Sequence, residues 1–339
     1  MYTEAEIRAA HVLRVALVTP LIFGLAVAMG APMPFVAAFL FAIFALKLPA
    51  PPPFRAVLVL ALMVALIPLG LGGVAGVLAQ YPYLMVGFVG LVLFHAFRLQ
   101  AVPRTALVGV LMQTFAIMLP LVTGQSALAA GAVSGAFALN GVLAVAGIYL
   151  AFALFPARAT GQPPVADAPD GPLERTGEAA VAALVMLPPF TLLLAFELTS
   201  AMRVLFTVAV VLVSLNRRDV RETGIESVLS ALMAGAVAAT FTVLYALWSD
   251  TAGALLVAAL LGLLVVPYAF EGRHRGAVAL AVPLVWVLNG IAGDGELSKS
   301  LEWTLYSLIG VFYAVWARAL VLRLLGWHGP RRAAETKSV

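Results

Sequence analysis

Apolar runs of 15 to 28 residues recur along the whole chain, twelve of them. A helix needs about 20 residues to cross a ~30 Å hydrocarbon layer at ~1.5 Å per residue. No other feature restricts the fold as much, because backbone polar groups in lipid must be satisfied within a helix or a closed barrel. The runs are rich in Ala, Leu, Val and Gly and lack the alternation of barrel strands. Helices are what remains. The composition agrees: 63% hydrophobic, 11% charged and a mean hydropathy of +1.06, against about 25% charged in soluble domains. The expected class is an all-α polytopic membrane protein. Its spans are expected at 12–29, 33–48, 54–72, 82–98, 104–122, 128–155, 176–196, 201–215, 223–248, 251–270, 276–292 and 300–325. The first run lacks a small-residue cleavage site and is followed at once by another, so it reads as a retained helix rather than a signal peptide.

Positive charge marks the cytoplasmic side. Arg8, Arg14, Lys47, Arg55, Arg98, Arg104, Arg158, Arg175, Arg217, Arg218, Arg221, Arg273, Arg275 and the C-terminal basic residues all fall on one set of loops and ends. The opposite loops hold only Arg203 and Lys299. Both termini are therefore expected in the cytoplasm. The net charge of +4 is accounted for by topology and does not suggest a nucleic-acid surface. The absence of cysteine excludes disulfides, cysteine-ligated zinc and Fe–S clusters.

Residues 156–174, with five prolines and three acids, break the hydrophobic pattern most and read as a cytoplasmic linker. Six spans lie on each side. An offset of 167 residues aligns Arg8 with Arg175, Ala16 with Ala183, Val18 with Val185, Phe23 with Phe190 and Phe39 with Phe206. The organisation expected is a first six-helix repeat over 1–155, a second over 175–328 and a basic tail over 329–339. With an even number of spans per half the repeats are parallel, and they meet along a seam.

Several chemistries are missing. No lysine is preceded by the glycine of a phosphate-binding loop, and the four histidines, His11, His95, His274 and His328, form no zinc helix. "GIAGDG" at 290–295 and "GAVSGAF" at 131–137 each miss a protease or hydrolase motif. An enzyme is disfavoured, and neither a metal nor a cofactor is expected.

Charges and amides inside apolar runs are the remaining candidates. Glu197 closes the seventh span and Arg203 opens the eighth, while the first half has Gly30 and Val36 at the matching places. An asymmetric pair of this kind fits a task at the seam; a salt bridge across the turn, or Arg203 reaching the headgroups, is the plainer alternative. Gln113, Asn140, Trp286, Asn289 and Tyr313 are candidate lining residues, with interhelical hydrogen bonding as their plainer role. At the cytoplasmic end His95 and Arg98 share a helix face, and Arg14 and Arg55 begin their spans. These four are candidates for a cationic entrance or simply for topological anchors.

The stretches "FALKLPAPPPFRAVLVLALMVAL" (44–66), "MVGFVGLVLFHAFRLQ" (85–100) and "VMLPPFTLLLAFELTSAMRVLF" (185–206) resemble the fusaric-acid-resistance family, which includes the aromatic acid exporters. The likeness is greatest to a compact two-repeat branch and spans both halves. It implies export of aromatic carboxylic acids or related small organic anions across the bacterial inner membrane, with a periplasmic membrane-fusion protein as partner. The large cytoplasmic domain of many members has no counterpart in the short linker.

The function expected is a secondary transporter of small organic anions, driven by protons with Glu197 as proton carrier and Arg203 or the inner basic ring drawing in the carboxylate. A passive anion channel and a non-transporting scaffold for a periplasmic adaptor are the rival readings. Homo-oligomerisation is left open.

Overall fold

The computed structural model describes residues 3–48, 50–102, 105–123, 127–156, 172–198, 201–215, 220–247, 251–270, 281, 282, 285 and 297–326. Among these every regular element is helical. They are α1 (Glu4–Ala28), α2 (Phe35–Lys47), α3 (Phe54–Leu78), α4 (Pro82–Gln100), α5 (Ala106–Thr123) and α6 (Ala127–Leu154). After the linker come α7 (Pro172–Ala195), α8 (Met202–Leu215), α9 (Val220–Leu247), α10 (Thr251–Val265), the single turn α11 (Pro267–Phe270) and α12 (Leu297–Leu324). Nine of the helices in the described residues are long and apolar enough to cross a membrane. The chain is a multi-pass membrane protein.

Two helices fall short. At 13 and 14 residues, α2 and α8 rise only about 20 Å. The expected span at 276–292 lies almost wholly outside the described residues. Other boundaries shift for local reasons. The first helix starts at Glu4 rather than residue 12 because Thr3 and Glu6 form a capping box, with Glu6 N–H donating to Thr3 Oγ1 at 3.2 Å and Thr3 N–H to Glu6 Oε2 at 2.7 Å. On the far side of the linker, Pro172 opens α7, where a missing N–H costs nothing.

Prolines interrupt α1 and α7. Pro20 has no N–H for the Ala16 carbonyl, and the turn before it, Arg14–Val18, widens to π geometry. In α7 the breaks are Pro188 and Pro189. Both helices then end in the same way. Gly30 N–H bonds Val27 O and Ala31 N–H bonds Ala26 O; 167 residues later Glu197 N–H bonds Leu194 O and Leu198 N–H bonds Leu193 O. Both are Schellman turns, and the left-handed position is held by Gly30 (φ 64°) in one and Glu197 (φ 54°) in the other. The bounds of α1, α2 and α3 likewise fall within a few residues of α7, α8 and α9 when 167 is added.

The chain packs as two compact units, Met1–Leu69 with Ala132–Pro164 and Glu226–Leu305, and Gly70–Gly131 with Val165–Ile225 and Tyr306–Val339. The composition is reciprocal: each unit takes the outer segments of one half and the central segment of the other. In the first, α10 packs on α1, where Gly262 lies so close to Ala16 that an added Cβ would come within 3.0 Å of its carbonyl oxygen. In the second, α4 packs on α5 and α7, and α5 on α8. Gly109 lets α5 onto α4, since a Cβ there would come within 2.5 Å of Ala96 O.

Candidate functional site

The first unit holds a charge that its surroundings do not answer. Arg14 is the eleventh residue of α1, about 15 Å from its start, and is 2% exposed. Nε donates to Ala10 O at 3.2 Å. The guanidinium carbon lies 4.1 Å from the centre of the Phe152 ring, a cation–π contact. Both terminal nitrogens, Nη1 and Nη2, are buried, and among the described residues neither has a hydrogen-bond partner. The Arg14 side chain is one of those lining a small, largely apolar cavity of about 10 Å³, together with Phe41, Ala45 and Leu48 of the short α2 segment and Ile148, Ala151 and Phe152 of α6. That volume admits one water-sized group.

His11 stands one turn before Arg14. Its Nε2 is 2.7 Å from Ala45 O, so that nitrogen carries the proton. The ring also packs on Phe270 of α11, with centroids 4.4 Å apart and planes at 44°. The bond fixes α2 against α1 at the residue whose methyl lines the cavity.

A guanidinium with its terminal fork buried is a receptor for a planar anion. Two parallel N–H groups match the two oxygens of a carboxylate, and low dielectric strengthens the bond. Among the described residues no cluster of three or more His, Cys, Asp or Glu could hold a metal.

The other sequence candidates are distributed between the units. Arg55, in the first, is exposed at the start of α3; His95 and Arg98, in the second, share an exposed face of α4. Arg14 is therefore the one buried member of the expected entrance set. Gln113 is buried and accepts a hydrogen bond from Gln100 Nε2, joining α5 to α4. Asn140 is fully buried, and its Nδ2 donates to Pro32 O at 2.7 Å and Ala136 O at 2.8 Å, tying α6 to the turn after α1. Tyr313 donates to Val185 O at 3.0 Å. That carbonyl is the one Pro189 leaves without a backbone donor, so the phenol repairs the break in α7. Glu197 is exposed in its turn, and Arg203 is half-buried as the second residue of α8. Trp286 and Asn289 lie outside the described residues.

Sequence reasoning passed over two features. His11 fell outside the expected first span, although its spacing from Arg14 puts both on one helix face. The second is an ion pair in the second unit, Arg318 Nη2 to Glu178 Oε2 at 2.9 Å, with side chains 11% and 15% exposed. It links α12 to α7.

A family model described as a protein of unknown function (DUF2955) matches residues 11–151, from within α1 to within α6. Arg14, Phe41, Ala45, Leu48, Ile148 and Ala151 lie inside the match. No curated protein and no solved structure matches the chain.

Proposed function

We propose that the chain is a secondary transporter of small organic anions, with Arg14 as the residue that receives the carboxylate. One observation carries the reading: a guanidinium 2% exposed within a membrane-crossing helix, with both terminal nitrogens unbonded among the described residues and the side chain among those lining a small cavity. Burying a cation costs several kcal/mol, about 2.5 to 3.5 on insertion scales, and ionisable groups in membranes mark ion pathways by default. Two further features support it. Short, interrupted segments at matching places in two halves are where transporters build their sites, and α2 and α8 are such a pair. The wall of the Arg14 cavity is made partly by α2.

The cavity is too small for the body of an aromatic acid, so the described state is closed around the guanidinium, and α2 or α6 moves to admit a substrate. Efflux of aromatic carboxylates across a bacterial inner membrane, driven by protons and assisted by a periplasmic adaptor, rests on the resemblance of the sequence to the fusaric-acid-resistance family. The small volume favours a second reading, passive conduction of small anions. Steady current without a pH gradient in planar bilayers supports that reading; its absence, with substrate flux retained, removes it.

The test is accumulation of labelled hydroxybenzoate in cells carrying the intact protein, Arg14→Gln, Arg203→Gln or no protein. Charged hydrogen bonds are worth ~1.5 to 3 kcal/mol, so Arg14→Gln should lower transport roughly 10- to 100-fold at unchanged expression. Equal accumulation in all four strains defeats the reading. Loss in Arg203→Gln alone would return the role to the α7–α8 turn.

A further inference from the structure

The two halves treat the same position on their first helices differently. Glu178 stands 167 residues after His11, and the turns that close these helices coincide at that offset. In the first unit the cation is on the first helix, as Arg14, and its fork has no hydrogen-bond partner among the described residues. In the second unit the arginine comes from the last helix, as Arg318, and the first helix supplies a carboxylate to it. Val181 takes the place of Arg14 there and is buried.

The pair has an unfilled bond. Of the Arg318 nitrogens Nη2 is the one bonded to Glu178, and Nε, buried in a residue 9% exposed, has no hydrogen-bond partner among the described residues. A carboxylate prefers two parallel N–H bonds from a guanidinium. A side chain tethered to α7 delivers one of the two.

We propose that Arg318 is a second carboxylate-binding site, held shut by Glu178 as a ligand built into the chain. The intact protein then binds one external anion, at Arg14, and the asymmetry between the halves is what makes it one. Removing the carboxylate from Glu178 opens the second site to a free monocarboxylate. Acetate replaces the atoms lost in Glu178→Ala and, being untethered, satisfies both Nε and Nη2. Because its test reads Arg318 and leaves Arg14 untouched, the proposal can fail while the transport reading stands, and the reverse.

The experiment is thermal unfolding of the full-length protein in detergent, in sodium chloride and in sodium acetate at equal ionic strength. Glu178→Ala leaves a buried cation unpaired, so its Tm falls by several degrees in chloride and is restored in acetate. Acetate moves the intact protein and Glu178→Ala/Arg318→Met by equal amounts, because both keep Arg14. The double variant, lacking both charges, regains most of the lost stability. Recovery of folded Glu178→Ala only when it is purified in acetate is the same result in a stronger form. Acetate stabilising Glu178→Ala no more than the double variant overturns the proposal, as does failure of Glu178→Ala to fold in either salt while the double variant folds.

Discussion

At the residue scale, a group that weakens the fold is the clearest sign of function. Arg14 keeps its guanidinium out of water with one hydrogen bond and one aromatic face. Replacing such a charge by an apolar side chain of similar length is often stabilising, by about 1 to 4 kcal/mol. Arg14→Met should therefore raise the thermal midpoint in detergent while abolishing anion transport; a lower midpoint would mean the guanidinium is part of the scaffold. Glu197 offers a second contrast. Its left-handed backbone costs a non-glycine residue about 1 kcal/mol or more, and the matching position in the first half is Gly30. Glu197→Gly is expected to stabilise by about that amount and Gly30→Ala to destabilise by a similar one, read from unfolding midpoints.

At the scale of the element, proline breaks define where helices need outside help. Pro189 removes the donor for Val185 O, and the hydroxyl of Tyr313 supplies it from α12. Tyr313→Phe leaves that carbonyl unbonded and should cost about 1 to 3 kcal/mol. In a Pro189→Ala background the backbone N–H returns and the same change should cost much less. A double-mutant cycle showing equal costs in both backgrounds would remove the account. Packing at α4 and α5 sets another limit. Ala at 109 would press against Ala96 O and the Gln100 backbone N, at 2.5 and 2.8 Å, so Gly109→Ala should lower the yield of folded protein in the membrane fraction.

At the scale of the whole molecule, chain order and packing order differ. Each compact unit is built from outer segments of one half and the central segment of the other. Residues 1–164 or 165–339 expressed alone are expected not to accumulate in membranes, while the two expressed together do, as read by immunoblot. Accumulation of either half alone would mean that packing within a half suffices.

The sequence by itself determined the medium, the helical class and the positions of most helices. These follow from hydrophobic run length, backbone hydrogen bonding and proline placement, all local properties of the chain. It also singled out Gln113, Asn140 and Tyr313 as candidate lining residues, because an amide or phenol in an apolar run stands out without any fold. Their partners, Gln100, Pro32 O and Val185 O, were not legible, since bonds between helices depend on which faces meet. Arg14 was visible as a charge at the edge of a run and was placed with His95, Arg98 and Arg55 on the entrance side. Tertiary structure alone decided that this one is buried and the other three exposed. The physical reason is that burial depends on which helices meet: α1 with α2 and α6 around Arg14, and α7 with α12 around Arg318, where the meeting puts a carboxylate beside the guanidinium.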